Sequence, residues 1–581
     1  MYLAQLNISN FRKLKHAELE FQPGLNVLVG ANNVGKTAVV DALRALLAGH
    51  DEPYPRLDAE DVHRSPAVSA VGPITFQYIF RDLDEDDEAD FLQALAFDAS
   101  GKSEVHITVR YSEVDKIGRL RAKRWCGNHE DVGLSSDMME NLRGVYLPPL
   151  RDASQGLKPN RGSQLARLFQ LLSDDTGREE INEALKKLDD ELKKHDPIKN
   201  THTAIKGRHD KMLGPQLSQL LELGLSGSDF QRLASRLSLM VDAFEIEQNG
   251  LGFNNLIYMA VVLSELTKST EASYRSLIVE EPEAHLHPQL QAVLLGYLET
   301  LKVTEGEKPI QLFVTSHSPN FASIANIDSL ACLVDTGSSV ETFFPRNIVF
   351  DKGKREKLER YLDVTRAEIF FARRVIFVEG AAELMLVSVL AAKAGYNLRE
   401  HGVSLISVEG LNFDSFLPLF GENALKIPVS LITDADPIDA SGNGDAPALY
   451  PELGDLITVS DNTAKMKKRE DKFVKVFHGV KTLEYDLALY DVNRLAMIKA
   501  LKELHPKIGE TLESTVNAGQ TDAEKARLLF SGMFERAQNN VQKGRFGQAL
   551  AQIFADGTEC AVPVYISDAI KHACRKELTT P

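Results

Sequence analysis

Gly30-Ala31-Asn32-Asn33-Val34-Gly35-Lys36-Thr37 is the stretch on which the reading of this chain turns. It fits G-x-x-x-x-G-K-[ST], follows an apolar run over 25–29 that reads as a strand, and precedes a Pro-free stretch, 38–47, with helical spacing. A strand, loop and helix in that order predict an ATP site in an α/β domain. The glycines let backbone amides curl around phosphate, and the helix N-terminus favours anions. Lys36 is placed to reach the terminal phosphates, and the Thr37 hydroxyl to join Mg2+. Asn32, Asn33 and Gly35 complete the expected cofactor-binding set on the loop.

Two further strands belong with this loop. Ser276-Leu277-Ile278-Val279-Glu280-Glu281-Pro282-Glu283 is an apolar run ending in carboxylates. Glu280 can hold the water shell of Mg2+, and Glu281 can orient or deprotonate the attacking water. Thirty residues on, Leu312-Phe313-Val314-Thr315-Ser316-His317 ends in a histidine placed to sense a terminal phosphate. A lone histidine is more often structural; the order phosphate loop, acidic strand, His strand is what makes the set specific.

A second acidic signature lies downstream. Arg374-Val375-Ile376-Phe377-Val378-Glu379-Gly380-Ala381-Ala382-Glu383 reads as a buried strand that delivers Glu379 into a turn, followed by a helix rich in Leu and Ala. Pro428-Val429-Ser430-Leu431-Ile432-Thr433-Asp434-Ala435-Asp436 is another buried strand, ending in Asp-x-Asp, with a third strand read over 405–410 between them. Asp-x-Asp alone means little in so acidic a chain, and Asp82-Leu83-Asp84 is a second copy.

Asn10-Phe11-Arg12, the phosphate loop, Glu280-Glu281-Pro282-Glu283-Ala284-His285-Leu286-His287-Pro288 and Thr315-Ser316-His317-Ser318-Pro319 together resemble the ABC-type ATPase domain of RecF-like and OLD-family proteins. That resemblance implies that Glu280 stands where Asp is usual, Glu281 is the hydrolytic glutamate, 284–288 is the loop crossing an ATP sandwich, and His317 is the switch histidine. The signature loop has no Leu-Ser-Gly-Gly-Gln; Gln248-Asn249-Gly250-Leu251-Gly252 is its candidate, and a metal role for His285 and His287 is an alternative reading. The glutamate strand followed by the Asp-x-Asp strand is similar to the Toprim fold of topoisomerases, primases and OLD nucleases. There a small parallel sheet brings strand ends to one edge, where Glu379, Glu383, Asp434 and Asp436 can share one or two Mg2+ or Mn2+ ions. Lys481-Thr482-Leu483-Glu484-Tyr485-Asp486-Leu487 resembles the OLD segment that lends a further metal ligand, here Glu484. Lys543-Gly544-Arg545-Phe546-Gly547-Gln548-Ala549-Leu550 resembles the helix start carrying a nuclease lysine, here Lys543; a solvated surface lysine is the plain alternative. The resemblance runs over about 1–350 and 365–560.

The expected architecture is α/β: a RecF-like P-loop ATPase over 1–154 and 241–355, a helical insertion over 155–240 for dimerisation, a Toprim domain over 365–480, and a helical region completing it over 481–581. Within the insertion, Ile181, Leu185, Leu188 and Leu192 form one apolar helical stripe, read either as packing on its own domain or as a dimer contact. A polar, Gly-containing stretch, 439–445, reads as a loop near the metals.

Composition is that of a globular enzyme, with 581 residues, 43% hydrophobic and 26% charged. Cys126, Cys332, Cys560 and Cys574 lack metal-ligand spacing and read as reduced thiols. The start of the chain carries no basic-then-apolar leader and no stretch is long enough to span a membrane, so a cytoplasmic protein is expected. A formal charge of −17 argues against nucleic acid as a whole-surface partner, but 465–475 holds six basic residues in eleven. That strip is read as a DNA-backbone contact or as a solvated helix face.

The resulting expectation is a divalent-metal-dependent DNA endonuclease, gated by ATP and acting as a homodimer or higher homo-oligomer. The resemblance adds bacterial or phage defence, with a defence-system partner protein or nucleic acid left open. A non-cutting DNA-binding repair or clamp-like factor is the alternative. Topoisomerase or primase chemistry stands further off, because no tyrosine sits in a recognisable DNA-linking context.

Overall fold

The computed structural model describes residues 1–48, 53–64, 72–114, 118–127, 129–149, 156–160, 162–214, 217, 219–225, 229–242, 244–268, 271–301, 307–337, 339–438 and 449–575. The expected loop at 439–445 lies outside the described residues.

Two sheets stack over the helix that follows the phosphate loop. One is antiparallel, with Leu14–Glu20, Tyr2–Phe11, Ile74–Arg81, Ser103–Val114 and Leu95–Phe97 in order, and Leu120–Cys126 also paired to Ser103–Val114. Leu14–Glu20 alternates buried and exposed residues, as a strand with one wet face must. The other sheet runs Val340–Phe343, Leu330–Asp335, Leu25–Val29, Gln311–Thr315, Tyr274–Glu280 and Leu142–Leu147. All its pairs are parallel except the terminal Leu330–Asp335 to Val340–Phe343 hairpin. Leu25–Val29, Tyr274–Glu280 and Gln311–Thr315 are buried at every position, which is why they read as unbroken apolar runs. Register then does the assembly: Thr315 pairs with Glu280 on one side and with Leu28 on the other, so three distant segments end at one level.

A second parallel sheet has the order Val403–Ser407, Arg374–Val378, Val429–Ile432, Val474–Phe477. Chain order reverses between Arg374–Val378 and Val429–Ile432, and in open α/β sheets ligands bind beyond the carboxyl ends at such a switch point. Period-two alternation divides these strands between two cores. Ile376, Val378 and Ile432 join a core under the helices Ala381–Lys393, Asp491–Leu504, Lys543–Ala555 and Val564–Cys574. Val375, Phe377, Val429 and Leu431 instead join a core that continues through Ile369 and Phe370 to Val27, Val279 and Val314 of the ATPase sheet. The two halves are therefore packed on one continuous apolar interior.

The insertion holds the helices Gln164–Leu172, Asp175–Leu192 and Asp196–Leu213. No residue of the latter two is fully buried: along the apolar stripe Leu188 is half exposed, while Ile181, Leu185 and Leu192 are partly covered. Among the described residues no helix is long and apolar enough to cross a membrane. All four cysteines are free thiols. The stray Asp-x-Asp has a local role: Asp84 accepts the amide of Asp87 and caps a short helix.

Candidate functional site

The phosphate loop needs its glycines for stated reasons. Gly30 has φ 148°, and a Cβ there would lie 2.5 Å from the Leu333 carbonyl oxygen; Gly35 has φ 115°. The helix Lys36–Leu47 starts without a capping side chain or an acidic first turn, which suits an anion at its N-terminus. Lys36 is buried and donates to the carbonyls of Gly30 (2.5 Å) and Ala31 (3.2 Å). Burial pushes its ammonium pKa down to about 8, against the pull of Glu281 and Glu283. Asn32, Asn33 and Thr37 are exposed on the loop.

The acidic strand places its carboxylates differently. Glu280 is buried and accepts the Tyr146 hydroxyl at 3.2 Å; burial raises its pKa. Glu281 turns out at φ 46°, its amide bonded to the Thr315 carbonyl, and its carboxylate lies 3.4 Å from His317 Nε2. His317 has a lowered pKa, from burial first and the charge of Lys36 second. Both causes favour the neutral ring beside the Glu281 carboxylate. Glu283, given no role from sequence, accepts the Ser316 hydroxyl (2.7 Å) and the His317 amide (3.0 Å), and so fixes the His strand's end. Tyr146 was also missed, because nothing in its own segment marks it.

The candidate signature loop and the crossing loop meet within one chain: a Cβ on Gly252 would lie 2.5 Å from the His285 carbonyl oxygen. Leu251 and Phe253 beside it are exposed. His287 Nδ1 accepts the Gln289 amide and caps the helix Pro288–Glu299, and among the described residues no third ligand completes a metal set with His285.

At the second sheet's switch point, Glu379 Oε1 accepts the Thr433 hydroxyl at 2.7 Å and the Asp434 amide at 2.8 Å. Asp434 Oδ1 accepts the Leu483 amide at 3.1 Å, at the start of the helix Leu483–Ala488, which brings Glu484 alongside. Glu383 is buried in the first turn of Ala381–Lys393. Lys543 Nζ reaches Glu484 Oε2 at 2.9 Å. That reach depends on a close helix crossing: a Cβ on Gly547 would meet Ala382 Cβ at 2.9 Å. Asp434 is pushed well up by burial and by the charges of Glu379 and Glu484, and Glu383 is raised by burial and by Glu484 and Glu379. Asp436 stands apart, exposed at φ 40° beyond the strand end.

This set suits a divalent cation. Three carboxylates, Glu383, Asp434 and Glu484, face Lys543, and among the described residues Glu484 Oε1 is buried without a hydrogen-bond partner. It is not a finished cage: among the described residues no three His, Cys, Asp or Glu side chains stand close enough to hold an ion as placed. Glu379 and Glu484 are instead engaged with Thr433 and Lys543. Asp486, unassigned from sequence, lies beneath the cluster with its pKa pushed up to about 7 by burial, accepting the amides of Val480 and Lys481. Gly479 makes room for it, since a Cβ there would fall 1.7 Å from Asp486 Oδ2. The basic strip runs from the last turn of Asp461–Lys467 through an exposed turn into Val474–Phe477. It begins one turn from Thr463, which donates to the Asp434 carbonyl.

Comparison with known proteins agrees with this geometry. An AAA ATPase domain family matches residues 1–124 and 144–322, more than half of the chain. The Overcoming lysogenization defect protein-like, TOPRIM domain family matches residues 370–436. The OLD nuclease of Thermus scotoductus is 25% identical over 398 residues, covering 65% of this chain and 71% of the relative. The Old nuclease of Escherichia phage P2 is 20% identical over 475 residues, covering 75% of this chain and 77% of the relative. The solved C-terminal region of the Burkholderia pseudomallei OLD protein is 24% identical, covering 35% of this chain and 100% of that one, with a TM-score of 0.26. A phosphate loop, acidic strand and histidine in register, joined through one core to a parallel sheet whose switch point gathers carboxylates, agree with these matches: the chain belongs to the AAA ATPase domain family and joins to it an OLD-like Toprim domain, homologous to the OLD nucleases.

Proposed function

We propose that this chain is an ATP-gated, divalent-metal-dependent endonuclease that nicks or cleaves DNA. One observation carries the reading: Glu379, Glu383, Asp434 and Glu484 converge at the switch point with a single lysine among them. Bound Mg2+ or Mn2+ would supply an activated water and charge neutralisation at a phosphodiester. The four carboxylates, with Asp436 at the outer rim, would hold the ion or ions, and Lys543 would meet charge growing on the cleaved phosphate. Thr433 orients Glu379, and the Leu483 amide orients Asp434.

At the other end, Lys36, Thr37, Asn32, Asn33 and Gly35 would bind ATP with its Mg2+, Glu280 would hold that ion's water shell, and Glu281 with His317 would orient the attacking water. The exposed Leu251 and Phe253 beside Gly252, and the only partly covered stripe of Ile181, Leu185, Leu188 and Leu192, support self-association into a homodimer or larger assembly. The lysines of 465–475 are the DNA-backbone contact in this reading, and bacterial or phage defence is the biology it carries.

The test is nicking of supercoiled plasmid by wild type and Asp434→Ala, with Mg2+, Mn2+ or EDTA, with and without ATP. Metal-dependent nicking that falls a hundredfold or more in the variant is expected, the usual scale for a group acting on the transition state. A wild type that cuts no DNA form in any metal would instead support a non-cutting clamp-like role.

A further inference from the structure

Arg366 lies between the two sites and belongs to neither motif. Its side chain is 8% exposed and its donors are spread over two segments, 361–363 and 407–409. Nε donates to the Ser407 carbonyl (3.0 Å), Nη1 to the Tyr361 carbonyl (3.0 Å) and Asp363 (2.7 Å), and Nη2 to Glu409 (2.6 Å). Each contact on the 407–410 side bears on Glu379. The Ser407 hydroxyl donates to the Glu379 carbonyl at 3.3 Å, and the Gly410 amide donates to the same oxygen at 2.7 Å. Between them Glu409 is held at φ 54°, a left-handed backbone that a glutamate adopts only when its surroundings impose it. Arg366 and Asn412, whose amide donates to the Val408 and Glu409 carbonyls, are what impose it.

The other side of the same turn faces the ATPase. Arg366–Phe370 packs against the helix Pro319–Ile324, which begins two residues after His317, and Ala367, Ile369 and Phe370 share a core with Phe321 and Ala322. Ser318 caps that helix through the Phe321 amide, and the Ser318 amide donates to Ser316, which is bonded to Glu283. Hydrogen bonds and packed side chains thus run without a gap from the Glu283–His317 corner to the backbone of Glu379.

We propose that Arg366 is a positioning residue for the nuclease centre: with Glu409 it forms a strut that fixes Glu379 and ties its position to the segment behind the ATPase histidine. The inference rests on the nuclease reading above. A lysine cannot substitute, because one ammonium cannot span the Ser407 carbonyl, the Tyr361 carbonyl and Glu409 together.

The full-length Arg366→Lys and Glu409→Gln proteins test it. Glu409 has a 65% exposed side chain, so its variant keeps the test alive if the buried one fails to fold. The measurements are the Mn2+ concentration giving half-maximal nicking, the ratio of nicking with and without ATP, ATP turnover, and Mn2+ binding by calorimetry. The expected result is a several-fold rise in the Mn2+ requirement and weaker Mn2+ binding in both variants. The ATP ratio should move towards one while ATP turnover stays within twofold. Unchanged Mn2+ dependence in both variants overturns the proposal, as does a shifted Mn2+ dependence with the ATP ratio intact. A wild type that never nicks sinks the nuclease reading instead, and the calorimetry then still decides whether Arg366 positions the carboxylates.

Discussion

The two acidic strand ends of this molecule solve opposite electrostatic problems. At the ATPase end each carboxylate has its own partner: Glu280 has Tyr146, Glu281 has His317, and Glu283 has Ser316 and the His317 amide. Lys36 sits among them as a counter-charge. At the nuclease end Glu383, Asp434 and Glu484 share Lys543 with Glu379 close by, and burial first, then mutual repulsion, raises the pKa of Asp434 and Glu383. The first site is wired before its ligand arrives. The second gathers like charges around one lysine, an excess that a cation would balance.

That contrast can be broken by removing one group from each end. Glu281→Gln keeps the shape of its side chain but not its charge, and should lower ATP turnover by roughly a hundredfold or more, the range for a lost general base. Mn2+ binding and ATP-independent nicking should survive it; their loss would show that the two sites are not separately built. Lys543→Ala should cut nicking by roughly a hundredfold. Because it also removes the one cation near Glu484, it should tighten rather than weaken divalent-ion binding, and weaker binding would reverse the charge argument.

The smallest effect is on stability. Asp486 has its pKa raised from 3.8 to about 7, and Glu383 and Asp434 shift the same way. A carboxyl raised by folding stabilises the native state while protonated: its contribution is full below about pH 4 and is lost as pH rises through 7. In EDTA the melting temperature should therefore fall by several degrees from pH 5 to pH 8, since about 1.4 kcal/mol accompanies each pKa unit. Asp486→Asn, which can still accept the amides of Val480 and Lys481, should flatten that slope. Mn2+ at pH 8 should offset it. A melting temperature that rises from pH 5 to pH 8 in EDTA would contradict the picture of an unbalanced acidic cluster.

Both strand ends were legible in the sequence because parallel strands buried on both faces leave unbroken apolar runs, and the residue after such a run is delivered to a sheet edge. Glu280, His317, Glu379 and Asp434 were found that way. Their supports were not: Tyr146 and Arg366 arrive from other segments, and Thr433 and Asp486, though inside the motif runs, carry no mark of their own. Asp436 shows the limit of reading a motif as a unit. The strand ends at Ile432, and Ala435 bonds to the Lys481 carbonyl, so the second aspartate of Asp-x-Asp leaves the edge on a turn. The apolar stripe at 181–192 left two readings open, packing on its own domain or a dimer contact, and partly covered Ile181, Leu185 and Leu192 beside a half-exposed Leu188 are compatible with both.

The division of Arg374–Val378 between two interiors has a consequence for how this chain can vary in length. Val375 and Phe377 serve the core shared with the ATPase, and Ile376 and Val378 the one beneath the C-terminal helices. Deleting one residue from that strand would exchange the two sets and turn Glu379 to the wrong side of the edge. A one-residue insertion or deletion is therefore expected to abolish folding or nicking when placed in this five-residue strand, and to be tolerated in the connections on either side of it.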